Sequence, residues 1–111
     1  MRIINIHRSL HYSRVLRKYR DIKLILFSKE ECGLCDSAKQ VMTQVLKLPE
    51  FKSTQFEITD ITDPRNTEWW NKYCFDVPVL HIQDKNNPEK LEKIFHRFNE
   101  KQVVQVVKTF K

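Results

Sequence analysis

The feature that most constrains this chain is a pair of cysteines, Cys32 and Cys35, set between a short apolar run and the start of a helical pattern. Lys23 to Ser28 reads KLILFS, rich in Ile, Leu and Phe, as expected for a central strand covered on both faces. From Cys35 to Leu48 the apolar residues fall at Ala38, Val41, Met42, Val45 and Leu46. That is the spacing of an amphipathic helix, which Pro49 ends. The chain must therefore pass from a buried strand through a cysteine-bearing loop into a helix. At 111 residues it has room for one core.

Downstream, Phe56 to Ile61 reads as a second strand. Asp63 before Pro64 starts a short helix reaching about Tyr73, because an Asp oxygen caps free N–H groups and proline is tolerated at the first helical position. Val79 to Gln83 is a third strand, Asp84 to Pro88 a turn, and Leu91 to His96 a fourth strand completing a hairpin. Val103, Val106, Val107 and Phe110 repeat at three and four residues, an apolar stripe on a C-terminal helix. The order β-α-β-α-β-β-α predicts an α/β domain, with a four-stranded mixed sheet and helices on both faces.

The net charge of +6 is unevenly placed. Arg2, Arg8, Arg14, Arg17, Lys18 and Arg20 carry the whole surplus, leaving fourteen basic against fourteen acidic residues from Asp21 onward. A near-neutral domain implies no nucleic-acid groove. Residues 1–20 form a basic, acid-free arm, and 21–111 the domain. The arm resembles a mitochondrial presequence; its other reading is a basic arm that solubilises the domain. No window is apolar enough to span a membrane. Three cysteines do not make a secreted disulfide framework, so a reducing intracellular compartment, cytoplasmic or mitochondrial, is expected.

A Cys-x-x-Cys pair at a helix start has a chemical use, because the thiolate is the nucleophile and helix N-termini stabilise negative charge. Cys32 is the expected nucleophile. Lys29 adds a cation, which Glu30 and Glu31 oppose. Cys35, one turn on, is near enough to form a disulfide and to act as the resolving thiol. Gly33, the only glycine in the chain, places the freest backbone inside this turn.

The stretch SKEECGLCD after a strand, with Val77-Pro78 before another, resembles the glutaredoxin-like branch of the thioredoxin superfamily, over roughly residues 22 to 110. The resemblance implies a thioredoxin-like fold and thiol–disulfide oxidoreductase activity. It implies that Pro78 is cis and faces the cysteines, and that Val77 presents its N–H and C=O to a bound thiol peptide or to glutathione, as an added strand would. It also implies that Lys29 contacts the glutathione carboxylate. The expected glutathione-binding residues are thus Lys29, Val77 and Pro78. The chain departs from the family pattern where a Gly-Gly pair is replaced by Phe98-Asn99-Glu100, which predicts weak glutathione binding. The closest description is a divergent single-domain glutaredoxin-like subfamily.

Three functions fit these residues. In the first, Cys32 attacks a protein or glutathione mixed disulfide and Cys35 or an outside thiol resolves it, with glutathione a candidate reductant and no metal required. In the second, two chains bridge an iron–sulfur cluster through Cys32 and two glutathione thiols, a reading kept open by the lack of proline at Gly33 and Leu34. In the third, a non-catalytic scaffold docks partners at Val77-Pro78. The first is adopted, with glutathione or protein disulfides as partners of a monomer that binds neither nucleic acid nor membrane.

Other residues have plainer expected uses. The two cysteines could be half of a zinc site, but no second Cys-x-x-Cys pair is present. Cys74, between Tyr73 and Phe75, is expected to be buried core. One of Trp69 and Trp70 should pack inward, and His81 and His96 are expected to be structural.

Overall fold

The computed structural model describes residues 14–110. Its elements are β1 (Ile22–Ser28), α1 (Gly33–Val45), β2 (Gln55–Asp60), α2 (Thr67–Tyr73), β3 (Val79–Asp84), β4 (Asn87–Phe95) and α3 (Glu100–Phe110). The strands form one sheet in the order β2-β1-β3-β4. β1 pairs parallel with β2, while β1 with β3 and β3 with β4 pair antiparallel. This is the mixed α/β sheet that the element order predicts. No described helix is long and apolar enough to cross a membrane.

β1 is interior because its side chains are wanted on both faces. Leu24 and Leu26, opposite Ile82 and Leu80, point to one side. There they join Ala38, Met42 and Val45 of α1 and Val103, Val107 and Phe110 of α3 in an aliphatic core. Phe27, opposite Val79, points to the other side, where Tyr73, Val77, Ile61 and Cys35 complete a smaller cluster with Trp69 packed on it. The period-two alternation of a strand thus serves two cores, and helices cover both faces.

Several boundaries differ from expectation. α1 begins at Gly33, two residues early, because Cys32 caps it. It ends at Val45, and Pro49 opens a short 3-10 turn, Pro49–Phe51. β2 lies one residue earlier than expected. Asp63 does cap, accepting from the Arg65 N–H at 2.9 Å, but it caps a 3-10 turn, Pro64–Asn66, which precedes α2. The hairpin turn is tighter than Asp84 to Pro88: Asp84 faces Asn87, and β4 already includes Pro88. Proline is tolerated there because β4 is an edge strand and the register shifts between Gln83 and Asp84, where a missing N–H costs no ladder bond.

The packed body also begins before Asp21. Tyr19 is 4% exposed within the aliphatic core. Its ring lies 4.9 Å from that of Phe51, and its carbonyl accepts from the Thr54 hydroxyl at 3.1 Å. The boundary of the arm therefore moves back from residue 20. The arm's resemblance to a presequence rests on residues 1–13 among others, and these lie outside the described residues.

Candidate functional site

The loop from β1 to α1 is fastened to the loop after β2. The Ile61 N–H donates to the Ser28 carbonyl at 2.9 Å, and the Glu30 N–H to the Thr62 hydroxyl oxygen at 3.3 Å. Thr62 is held in turn by Asp60, whose carboxylate accepts from the Thr62 hydroxyl and, at 2.9 Å, from its N–H. The chain then reverses at Glu31, with φ 55°, in the left-handed region that favours glycine. Gly33 has no positive φ, and a Cβ added to it would meet nothing within 4 Å. The expectation about Gly33 is corrected: the turn's unusual backbone falls at Glu31, before the cysteines.

Cys32 is the N-cap of α1. Its Sγ accepts the Cys35 N–H at 3.1 Å, and its carbonyl accepts the Asp36 N–H at 3.1 Å. A sulfur in a cap position normally filled by Ser or Asp receives the positive end of the helix and one unpaired N–H, the setting that favours thiolate. The two sulfurs lie at disulfide distance, with Cα atoms 5.2 Å apart. Cys35 is fully buried in the smaller cluster, and Cys32 is half-buried at its edge. An outside sulfur therefore meets Cys32 first.

Val77 and Pro78 are buried, and Val77 belongs to the same cluster as Cys35. The Val77–Pro78 peptide bond is cis. In the free chain the Val77 N–H donates to the Tyr73 carbonyl at 3.1 Å. The Asp76 N–H shares that acceptor at 2.9 Å. Lys29 is engaged as well. Its Nζ donates to the Cys74 carbonyl at 2.9 Å and lies 6.0 Å from the Trp70 ring centroid, tying the cysteine loop to the C-cap of α2. Cys74 is a free, half-buried thiol packed at the edge of the cysteine cluster, not a core residue, and its neighbour Phe75 is 92% exposed.

The smaller cluster holds a polar pair that the sequence does not announce. His81 Nε2 and the Tyr73 hydroxyl are 2.7 Å apart, both residues buried. Burial first, then the charges of Lys93 and Lys72, push the His81 pKa down to about 4, so the ring is neutral near pH 7. Phe27 lies 4.5 Å from the centroids of both Trp69 and His81. Trp69 is the inward tryptophan and Trp70 the exposed one. Among the described residues no group of three His, Cys, Asp or Glu side chains could hold a metal. His7 and His11 lie outside those residues.

A sheet of this topology carrying a cysteine pair at the N-terminus of its first long helix defines a thioredoxin-fold protein. Residues 23–108 match the sequence profile of the glutaredoxin-like domain (DUF836), and the chain belongs to that family. It is similar to a glutaredoxin-like protein, the YDR286C homolog of Dictyostelium discoideum, being 29% identical over 75 residues that span 66% of this chain and 68% of that one. Among solved structures it resembles chloroplastic thioredoxin z, with TM-score 0.67 and 15% identity over 93% of this chain and 88% of the other. Mitochondrial thioredoxin 3 from Saccharomyces cerevisiae, in its oxidised form, matches with TM-score 0.61 and 19% identity over 90% and 89%. At those identities the likeness is one of fold.

Proposed function

We propose that the chain is a thiol–disulfide oxidoreductase that reduces protein or glutathione mixed disulfides. The observation that carries this is the unequal setting of the two sulfurs, with Cys32 half-buried on the cap of α1 and Cys35 fully buried behind it. The Cys32 thiolate attacks one sulfur of a substrate disulfide and displaces the other, which leaves with the bonding electron pair and takes up a proton. The buried Cys35 thiolate then attacks Cys32 Sγ, forms the intramolecular disulfide and releases the second substrate sulfur as a thiol. Two electrons have passed to the substrate. Two equivalents of an outside thiol such as glutathione, oxidised to its disulfide, return the pair to the reduced form. The bond between Lys29 and the Cys74 carbonyl makes Lys29 a positioning residue for the loop in the free protein, and leaves its ammonium two further N–H groups for a ligand carboxylate. The replacement of the family's Gly-Gly pair by Phe98-Asn99-Glu100 supports weak glutathione binding and favours protein disulfides as substrates.

Intact-mass measurement after exposure to oxidised glutathione tests the reading, in a Cys74→Ala background that removes the third thiol. Cys35→Ser should accumulate a mixed disulfide on Cys32 that dithiothreitol reverses, and Cys32→Ser should form none. An adduct on Cys35 in the Cys32→Ser protein, with none on Cys32 in the other, would reverse the two roles.

A further inference from the structure

We propose that the recess between the first turn of α1 and the His96–Phe98 segment is a specificity subsite for an acidic side chain of a protein substrate, one flanking the cysteine under attack. This rests on the oxidoreductase reading and adds a substrate class to it. The recess, of about 180 Å³, is lined by Leu34, Ser37, Ala38, His96, Arg97 and Phe98. At roughly 30 Å³ per water it has room for about six waters, or one side chain.

Its position makes it part of the cysteine site. Leu34 stands between the two cysteines in sequence and is exposed. The opposite wall is joined to the Val77–Pro78 loop, because the His96 N–H donates to the Pro78 carbonyl at 2.8 Å. His96 adopts φ 64°, which turns the chain sharply out of β4. Phe98 then packs on the aliphatic core while Arg97 stays exposed. A substrate chain whose sulfur reaches Cys32 thus has a neighbouring side chain within reach of this recess.

The charge of the recess selects the occupant. Arg97 makes no ion pair or hydrogen bond with any described residue. None of the lining residues is acidic. Asp36 lies two residues from Leu34 on α1, about 200° around the axis, so it faces away from the wall made by Leu34, Ser37 and Ala38. Glu100 lines the neighbouring groove along α1, with Ser37 and Gln44. Leu34, Ala38 and Phe98 pack against the methylenes of a Glu or Asp side chain, and the unpaired guanidinium beside them donates to its carboxylate in forked geometry.

The test uses the full chain, reduced and freed of reductant. It reacts in single turnover with two synthetic peptides activated as 2-pyridyl disulfides, one with Glu and one with Lys on both sides of its cysteine. Cys32 Sγ bonds to the peptide sulfur, and pyridine-2-thione leaves with the electron pair and a proton, so the signal is the same for both. The Glu peptide should react about ten-fold faster at low salt, and the preference should shrink in high salt. Arg97→Glu should invert it. Lys108→Glu, the same change of charge at an exposed site on α3 outside the recess, should leave the preference in place. A thermal transition for each variant confirms that the fold is retained. Equal rates for the two peptides, or a preference that Arg97→Glu does not alter, would overturn the subsite while leaving the oxidoreductase reading intact. Failure of both peptides and of a plain dipyridyl disulfide would remove both proposals.

Discussion

On one face of the sheet Leu24, Leu26, Leu80 and Ile82 meet Met42, Val45, Val103 and Val107; on the other, Phe27 and Val79 meet Tyr73, Ile61, Cys35 and Val77, beside Trp69 and His81. The first face is mainly aliphatic, with Tyr19, Phe51 and Phe110 among its members, and is covered by two helices. The second is smaller, aromatic, and carries the Tyr73–His81 hydrogen bond, so its members are held by direction as well as by packing. Both the buried cysteine and the residue before cis-Pro78 belong to the second face. Bulk stability and site geometry are thus assigned to different sides of one sheet.

The largest expected effect breaks the comparison from the aliphatic side. Met42 is fully buried between sheet and helices. Met42→Ala should cost about 2–5 kcal/mol, read as a shifted denaturant midpoint, because the cavity closes only in part. The alkylation rate of Cys32 in the still-folded protein should change little. A cost below about 1 kcal/mol would mean that this face does not dominate stability.

On the aromatic side the expected effect is acid sensitivity. Folding holds the His81 pKa near 4, whereas the free group titrates near 6.5. The unfolded chain therefore binds a proton that the folded one refuses. His81's contribution is complete above pH 6.5 and is lost as pH falls through the window to about 4. The ring faces the Tyr73 hydroxyl, Phe27 and Trp69, with the cations of Lys72 and Lys93 adding to the cost of a second charge. A difference of about 2.5 pK units corresponds to about 3 kcal/mol at most. Comparing denaturation of the wild type and His81→Leu across pH 4–7 isolates this, since the carboxylates titrate in both. Equal slopes would show that His81 is not the acid-sensitive group.

Legibility in the sequence divides along the same line. The aliphatic face is legible because it is periodic: Ala38, Val41, Met42 and Val45, then Val103, Val107 and Phe110, announce their helices locally. Cys32 and Cys35 are legible through their place between β1 and α1. Contacts made across the fold are not. Nothing near His81 in sequence signals that Tyr73 will meet it, and Lys29 reads as a free cation until the Cys74 carbonyl is found beneath it. Tyr19 looks like part of a basic arm because its partner, Phe51, is distant in sequence. The left-handed residues Glu31 and His96 escape notice because neither is glycine or asparagine, while the one glycine draws attention to Gly33.

Glu31 gives the smallest effect and the one closest to the chemistry. A non-glycine residue at φ 55° costs about 1–2 kcal/mol relative to its preferred conformations, part of which glycine gives back by having more freedom in the unfolded chain. Glu31→Gly should therefore stabilise the fold by about 0.5–1 kcal/mol, a rise of a few degrees in the thermal transition. The same substitution removes a negative charge adjacent to the thiol. That should favour the thiolate and speed Cys32 alkylation near pH 7 by about two- to three-fold. Glu31→Ala separates the two effects, because alanine loses the charge but keeps the strain. It should show the faster alkylation without the higher transition temperature. If alanine stabilises as much as glycine, the gain comes from charge and not from the backbone. If neither variant changes the alkylation rate, the Glu31 carboxylate does not act on the thiol, and the reactivity of Cys32 is set by the cap of α1.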